Sequence, residues 1–188
     1  MYVKAAIGQD SHRFSGLPRI GEYISDAAKT LADGADYKPL LLGGVLFPEG
    51  PPLLGNSDAD VVLHALCNAI SGVTGVNILG AIADKMCIEE GITDSAAYVK
   101  EAMKHLGGGR IAHVSFSIEC AKPAISPRIA DMRENISNII GVDKDCVCIT
   151  ATGGEGLTDF GRGLGIQALC ILTAYINSPE IANEGVYE

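Results

Sequence analysis

The sequence predicts one α/β (α+β) domain in which helices cover one side of a β-sheet. The chain has 188 residues, of which 47% are hydrophobic and 20% are charged. This composition favours one folded core over two domains or a disordered chain. Segments typical of strands alternate with segments typical of helices, as in proteins that pack helices against a sheet. We therefore expect a single domain over residues 1–188.

Strands are predicted where the chain is extended and apolar. Residues 2–8 are apolar and precede polar residues, and residues 40–47 are apolar around a Gly-Gly pair. Residues 113–120 alternate between apolar and polar side chains, and residues 147–151 are rich in β-branched side chains, so both are typical of strands. Residues 165–176 are continuously apolar and fit a buried helix or a buried strand, and their length favours the helix.

Helices are predicted at three other segments. In residues 57–73, Ser57 is suited to the N-cap, and two aspartates follow in the first turn, where the helix dipole favours negative charge. Residues 93–106 are followed by three glycines and residues 127–140 by one, and glycine commonly follows the last helical residue. These segments are expected to form the helix layer.

Residues 14–39 are predicted to be an insertion. They separate two strand candidates and contain a possible helix at residues 25–31. A connection of this length is unusual in a compact domain, and we expect a solvent-facing flap or an additional helix there. The tail at about residues 177–188 contains a proline and mixed polar residues, so we expect it to be exposed and flexible.

Composition argues against several classes of partner. The net charge is −9 and the 14 Lys and Arg residues form no run, so we expect neither a nucleic-acid partner nor an anionic membrane surface. No apolar stretch reaches the roughly 20 residues of a membrane helix, and the N-terminus lacks the pattern of a signal peptide. We therefore expect a cytoplasmic protein. Its six cysteines include no CxxC spacing and are expected to be free thiols.

The first group of residues that could carry chemistry is Asp10, His12 and His64. Asp10 and His12 are two apart, so an extended backbone points both to one face. Asp60 and His64 are four apart on a predicted helix and share a face. An aspartate and two histidines can form a zinc site with one open position, and Asp60 could orient an imidazole. The spacing also allows His12 to be a surface residue and His64 a hydrogen-bonded helix residue.

The second group lies in the Gly-rich segment ATGGEGLTDFGRG, residues 151–163. Backbone N–H groups of such a loop can bind phosphate, with Thr152 adding a hydroxyl and Arg162 a positive charge. Glu155 could hold a magnesium ion that bridges a diphosphate. The same composition also fits an ordinary turn between two buried elements.

Taken together and in order, these segments resemble the 2-C-methyl-D-erythritol 2,4-cyclodiphosphate synthase family. The resemblance rests on the pattern Asp-x-His-x-Phe that begins at Asp10, on the runs LLLGGV and SDADVVLHAL, and on the ATGGEG…GRG loop. It extends from about residue 7 to residue 176 and is interrupted by residues 14–39. The run from Ser57 to Asp60, followed by His64, is its most specific part.

The resemblance implies a homotrimer with active sites between neighbouring subunits, and we expect the insertion to lie at the edge of this trimer. The family enzyme joins the 2-phosphate of CDP-methylerythritol 2-phosphate to the β-phosphorus and releases CMP. The implied metals are zinc at Asp10, His12 and His64, and magnesium or manganese with the substrate diphosphate at Glu155. The implied catalytic positions are Asn56, Thr152 and Gly153. The implied substrate-binding positions are Ser57, Asp60, Gly80, Ala151, Thr152 and Arg162.

Several positions depart from the family pattern. They are Asn56, Ile78, Ala124 and Gly153, which replace a histidine, an aspartate, a lysine and a threonine of the family. Asn77 or Asp84 would have to take over from the aspartate, which holds the erythritol moiety. The metal positions are kept while positions that recognise substrate are changed. Two hypotheses follow: a working cyclodiphosphate synthase, or a zinc-binding homologue that acts on another phosphorylated small molecule or is non-catalytic.

Overall fold

The structure, a computed structural model, describes residues 1–16 and 38–177. Its strands are β1 (Tyr2–Arg13), β2 (Leu41–Leu42), β3 (Val45–Leu46), β4 (Arg110–Glu119), β5 (Val147–Thr152) and β6 (Gly165–Ile176). Its α-helices are α1 (Val61–Thr74), α2 (Ala81–Asp84), α3 (Ser95–Lys104) and α4 (Ile129–Ile140). The other helical elements are a π-helical turn at Lys85–Glu89 and 3₁₀ turns at Ser126–Arg128, Lys144–Cys146 and Gly154–Gly156.

The main sheet has the strand order β1-β6-β4-β5. β6 runs antiparallel to β1 and β4, and β4 runs parallel to β5. α1 packs on β1 and β6, and α4 packs on β5. Along β6, the side chains that face this helix layer are buried: Ile166, Ala168, Cys170, Leu172 and Ala174. The prediction of a mixed α/β domain with helices on one side of a sheet is confirmed.

The opposite face of the sheet carries exposed apolar side chains. Val3 is 58% exposed, Ile7 65% and Ile171 55%. Ile7 lies directly opposite Ile171 in the pairing of β1 with β6, so these two side chains share one patch of surface. Large apolar side chains grouped on a surface are typical of contact regions between molecules.

Residues 165–176 form a strand, so the predicted helix is wrong. β6 lies between β1 and β4 and pairs with both, which satisfies its backbone groups on the two sides. Its apolar run is continuous because alternate side chains enter the core and the others lie on a half-buried face. The length of the apolar run favoured a helix. Length carries no information about the neighbouring strands, and pairing with these strands decides the conformation.

The helix predicted at residues 57–73 begins later than expected. Asp60, rather than Ser57, is the N-cap of α1. The Asp60 side chain accepts hydrogen bonds from the backbone N–H groups of Val62 and Leu63, which satisfies two donors that no helical carbonyl can reach. Ser57 therefore lies in the loop before the helix. The predicted helices near residues 93–106 and 127–140 are confirmed as α3 and α4.

Residues 40–47 form a hairpin of two short strands rather than one strand. Gly43 and Gly44 have φ angles of 61° and 73°, so the Gly-Gly pair reverses the chain between β2 and β3. This left-handed conformation suits glycine and is the one that two-residue hairpin turns require. The Gly-Gly pair within the apolar run was the signal for this turn.

β1 extends beyond the predicted residues 2–8 to Arg13, so both Asp10 and His12 are strand residues. Residues 17–37 of the predicted insertion, including its possible helix, and residues 178–188 of the predicted tail lie outside the described residues. All six cysteines are free thiols, as expected. None of the helices in the described ranges combines the length and apolar character that crossing a bilayer requires.

Candidate metal centre

Asp10, His12 and His64 meet at one point between β1 and α1. The Asp10 Oδ2 atom lies 3.1 Å from His12 Nε2 and 2.9 Å from His64 Nδ1. The two imidazole nitrogens lie 3.4 Å apart. Asp10 and His12 share a face of β1 because they are two residues apart, and His64 reaches them from the first turns of α1. The predicted grouping of these three side chains is present in the fold.

The protein holds both imidazoles in defined orientations. His12 Nδ1 lies 2.6 Å from the carbonyl oxygen of Leu54, and a carbonyl can only accept, so Nδ1 carries the hydrogen and Nε2 faces the cluster. His64 turns Nδ1 toward Asp10. Its Nε2 atom lies 2.9 Å from Ser95 Oγ and 3.3 Å from Ser57 Oγ. Ligand histidines commonly have their second nitrogen fixed in this way.

The three facing atoms fit a tetrahedral zinc ion. Zinc ligands at about 2.0–2.1 Å from the metal lie about 3.3–3.4 Å from one another in a tetrahedron. The distance between the two imidazole nitrogens, 3.4 Å, equals this edge, and the carboxylate oxygen needs to move by only a few tenths of an ångström. One carboxylate and two imidazoles leave one position open, as catalytic zinc sites do. The residues present therefore fit the metal that the family resemblance implies.

The cluster shifts the protonation of its own members. Burial raises the pKa of the Asp10 carboxyl, but its contacts with His12 and His64 outweigh this effect and hold the pKa well below its ordinary value. Burial lowers the pKa of His12, but its hydrogen bond and attraction to Asp10 raise this pKa above its ordinary value. Asp10 is therefore a carboxylate at neutral pH and is ready to bind a cation.

The three side chains line an open cavity of about 230 Å³. The other lining residues are Asn56, Ser57, Leu79, Gly80, Ala83, Asp84, Cys87 and Tyr98. Three residues predicted for catalysis or substrate binding, Asn56, Ser57 and Gly80, thus share one cavity with the metal centre. Asn56 provides an amide and Ser57 a hydroxyl, and both groups can donate hydrogen bonds to phosphate oxygens.

Asp60 does not orient an imidazole, so this prediction is wrong. Its side chain is completely buried and accepts hydrogen bonds from the backbone N–H groups of Gly43, Gly44, Val62 and Leu63. It therefore ties the β2–β3 hairpin to the start of α1. Because it is enclosed by backbone donors, it is also inaccessible to a substrate.

The second predicted group begins at the far edge of the sheet, at the end of β5. Asp10 pairs with Ala168, Ala168 with Ile118, and Ile118 with Ala151, so Asp10 and Ala151 occupy one row across four strands. With strands about 4.8 Å apart, this row places them about 14 Å from each other. Ala151 is exposed, as are the other four predicted residues of this loop: Thr152, Gly153, Glu155 and Arg162. Within one chain, the start of the Gly-rich loop is therefore distant from the metal centre.

Sequence reasoning missed part of the cavity wall. Leu79, Ala83, Cys87 and Tyr98 line the cavity, but their residue types resemble ordinary core positions. It also missed Ser95, whose hydroxyl lies between His64 and Asp58. The only sequence signal for Ser95 was its place beside the N-cap of a predicted helix. The sequence also did not indicate that Asp58 would bind Ser95 while Asp60 binds the backbone of Gly43 and Gly44.

Comparison with known proteins identifies the family. The family model described as the YgbB family matches residues 3–175. The chain belongs to the YgbB family. This match covers both the metal centre on β1 and α1 and the Gly-rich loop before β6, and it confirms the family resemblance seen in the sequence.

Curated relatives of this YgbB-family protein carry the name 2-C-methyl-D-erythritol 2,4-cyclodiphosphate synthase. The protein of that name from Chlamydia muridarum is 46% identical over 171 residues, which cover 90% of this chain and 86% of the relative. The protein from Chlamydia caviae is 43% identical over 171 residues, with 90% and 88% coverage.

Solved structures share the YgbB-family fold. The 2C-methyl-D-erythritol 2,4-cyclodiphosphate synthase from Plasmodium vivax matches with a TM-score of 0.70 and 22% identity, over 94% of this chain and 100% of that chain. The bifunctional IspDF from Campylobacter jejuni matches with a TM-score of 0.76 and 22% identity, over 94% of this chain and 43% of that chain. At this identity, the structures support the fold alone.

Proposed function

We propose that this protein converts CDP-methylerythritol 2-phosphate to 2-C-methyl-D-erythritol 2,4-cyclodiphosphate and releases CMP. The observation that carries the proposal is the geometry of Asp10, His12 and His64, whose ligand atoms converge in a cavity beside Asn56 and Ser57. Relatives that are 42–46% identical over 90% of the chain are named for this product. The YgbB-family match covers every residue used in the proposal.

The side chains of this cavity are suited to holding phosphate groups in place. Zinc bound by Asp10, His12 and His64 would polarise a phosphoryl oxygen and offset negative charge. The amide of Asn56 and the hydroxyl of Ser57 would donate hydrogen bonds to phosphate oxygens and keep the substrate folded on itself. Among the described residues, no lysine or arginine side chain lines the cavity, so on this side of the substrate the bound metal and these neutral donors would contact the phosphates.

The reaction then depends on the position of two groups of one substrate. An oxygen of the 2-phosphate attacks the β-phosphorus, the bond from that phosphorus to the CMP oxygen breaks, and CMP leaves with the bonding electrons. No covalent bond to the protein forms. Holding the attacking and leaving oxygens in line supplies much of the rate enhancement in such transfers.

We further propose that the active protein is a homotrimer whose neighbouring subunit completes each site. Ala151, where the Gly-rich loop begins, lies about 14 Å from Asp10 within one chain, so a second copy would have to bring Thr152 and its neighbours to the metal centre. The patch around Ile7 and Ile171 leaves apolar surface for such a contact. In this assembly Glu155 would hold magnesium or manganese against the diphosphate, and Thr152, Gly153 and Arg162 would face the substrate.

The direct test is CMP release from purified protein supplied with CDP-methylerythritol 2-phosphate, Zn²⁺ and Mg²⁺. We expect CMP and the cyclic diphosphate in equal amounts. His64→Ala should abolish turnover, whereas the matched control His113→Ala should retain it, because His113 lies on β4 and outside the cavity. CMP at the level of the no-enzyme control from the wild-type protein would refute the proposal. The cytoplasmic location stays a prediction from the sequence and is tested by cell fractionation.

A further inference from the structure

We propose that Asp58 and Ser95 form a positioning relay that fixes the His64 imidazole for metal binding. The inference rests on the metal centre of the proposed function and concerns two residues outside the set of metal ligands. The relay consists of the imidazole of His64, the hydroxyl of Ser95 and the carboxylate of Asp58, in that order.

The direction of the hydrogen bonds follows from the chemistry of the three groups. The Ser95 side chain is completely buried, and its hydroxyl has a single hydrogen to donate. That hydrogen goes to Asp58 Oδ1, since a carboxylate can only accept. The oxygen of Ser95 is left as the acceptor for His64 Nε2, 2.9 Å away. His64 therefore carries its hydrogen on Nε2.

This assignment determines which nitrogen of His64 can bind a metal. A neutral imidazole has a hydrogen on one nitrogen and a lone pair on the other. With the hydrogen on Nε2, the lone pair lies on Nδ1, which faces Asp10 and His12. The alternative tautomer would point a hydrogen at the metal position. The relay thus selects the tautomer that can bind.

Asp58 is itself held in place by backbone groups. Its Oδ2 atom accepts the backbone N–H of Ser95 at 2.9 Å, and its Oδ1 atom accepts the N–H of Asp60 at 3.1 Å. Its own N–H donates to the carbonyl of Thr93 at 3.0 Å. These contacts join the loop before α1 to the start of α3, so the carboxylate cannot rotate away without breaking several hydrogen bonds.

Ser57 is a weaker partner of the same nitrogen. Its hydroxyl lies 3.3 Å from His64 Nε2, a longer distance than the 2.9 Å to Ser95. It also accepts the backbone N–H of Ala59 at 3.3 Å and has no carboxylate partner among the described residues. The geometry therefore assigns the principal role to Ser95, and it leaves the Ser57 hydroxyl available to the cavity.

The test measures Zn²⁺ affinity by competition with a chromophoric chelator, using Zn²⁺ alone and no substrate. Ser95→Ala and Asp58→Asn should each weaken Zn²⁺ binding by about 10–100-fold, the range found when the partner of a ligand histidine is lost. The double variant should bind Zn²⁺ with the same affinity as the single variant that binds it less tightly, because both residues act through one imidazole. Asp58→Asn keeps the Ser95 hydroxyl and provides the test if Ser95→Ala fails to fold.

Ser137→Ala is the matched control, because Ser137 is also a buried serine but lies on α4 and donates to Glu134. It should bind Zn²⁺ as the wild type does. The visible spectrum of Co²⁺-loaded protein gives a second readout, since a displaced His64 changes the ligand field; it should change in Ser95→Ala and stay unchanged in Ser137→Ala.

Wild-type Zn²⁺ affinity in both relay variants, or additive losses in the double variant, would overturn the relay. Failure of the proposed function is distinguishable from this result. A wild-type protein that binds Zn²⁺ tightly but releases no CMP removes the proposed reaction, while a loss of affinity in Ser95→Ala would still support the relay.

Discussion

Gly8 of β1 lies directly against Ala65 of α1. A Cβ atom at Gly8 would come within 2.1 Å of the Ala65 carbonyl oxygen, so any larger residue would push the helix away from the strand. Ala65 follows His64 and Gly8 precedes Asp10 by two residues. The close approach of these two backbones therefore sets the distance between the metal ligands on α1 and those on β1.

Gly8→Ala should reduce both stability and metal affinity. The added methyl group has no room, and overpacking of this kind costs about 1–3 kcal/mol of the free energy of unfolding. Displacement of α1 should also weaken Zn²⁺ binding although all three ligands are present. Urea unfolding and chelator competition measure the two effects. Wild-type Zn²⁺ affinity in a folded Gly8→Ala protein would show that the helix–strand distance does not set the ligand geometry.

Lys38→Ala should impair turnover without weakening zinc binding. The Lys38 ammonium donates to the backbone carbonyls of Asn56 at 3.0 Å and Ser57 at 2.7 Å, and it therefore holds the segment that carries two phosphate donors. Losing a charged hydrogen bond of this kind should lower kcat/KM by about tenfold. The control is Lys100→Ala, which removes an exposed lysine on α3. Equal kcat/KM in the two variants would contradict the assignment.

Asp84→Asn should raise KM for the substrate. Asp84 is a carboxylate of the cavity wall at the end of α2, four residues after Gly80, where it could accept hydrogen bonds from substrate hydroxyl groups. Asparagine keeps the size but loses the charge, so kcat/KM should fall by about tenfold while Zn²⁺ affinity is retained. Glu89→Gln, an exposed position of the π-helical turn, is the control. An unchanged KM in Asp84→Asn would exclude this role.

The contribution of Asp10 and His12 to the stability of the metal-free protein should be greatest between about pH 4 and pH 6.5. The lowered pKa of Asp10 adds stability above its ordinary value of 3.8, and this stability is lost as the pH falls. The raised pKa of His12 adds stability below its ordinary value of 6.5, and this stability is lost as the pH rises through the raised value.

Urea unfolding in the presence of a chelator, across pH 3 to 9, measures this dependence. Asp10→Asn should flatten both sides of the profile, because it removes the charge that shifts the histidine. The affinity for zinc should instead rise with pH, because zinc competes with protons for the imidazoles. A profile of Asp10→Asn that matches the wild type would contradict the prediction.

Mixed trimers should recover activity from two inactive variants. His64→Ala damages the metal centre, and Glu155→Ala damages the loop that a neighbour would supply. After the two proteins are unfolded and refolded together, about a quarter of the sites would combine an intact centre with an intact loop. Refolding His64→Ala with His12→Ala is the control, because both defects lie in the same half-site. Equal activity in the two mixtures would argue against shared sites.

Part of the metal centre could be predicted from the sequence because it depends on local geometry. Strand alternation places Asp10 and His12 on one face, and the helical pattern places His64 on an element that packs against the sheet. Asp60 was misjudged for the same reason: spacing gave it a face in common with His64. Its carboxylate instead binds the N–H groups of Gly43 and Gly44, which are distant in sequence.

Other features were decided by contacts between distant segments. Residues 165–176 have a composition that either a helix or a strand accepts, and pairing with β1 and β4 makes them a strand. Ser95 reaches His64 and Asp58 only because the start of α3 lies against the loop before α1. The residue types of the chain determined which groups could bind a metal. The tertiary structure decided which of them meet, since hydrogen bonding and packing between segments dozens of residues apart leave no periodic trace in a single sequence.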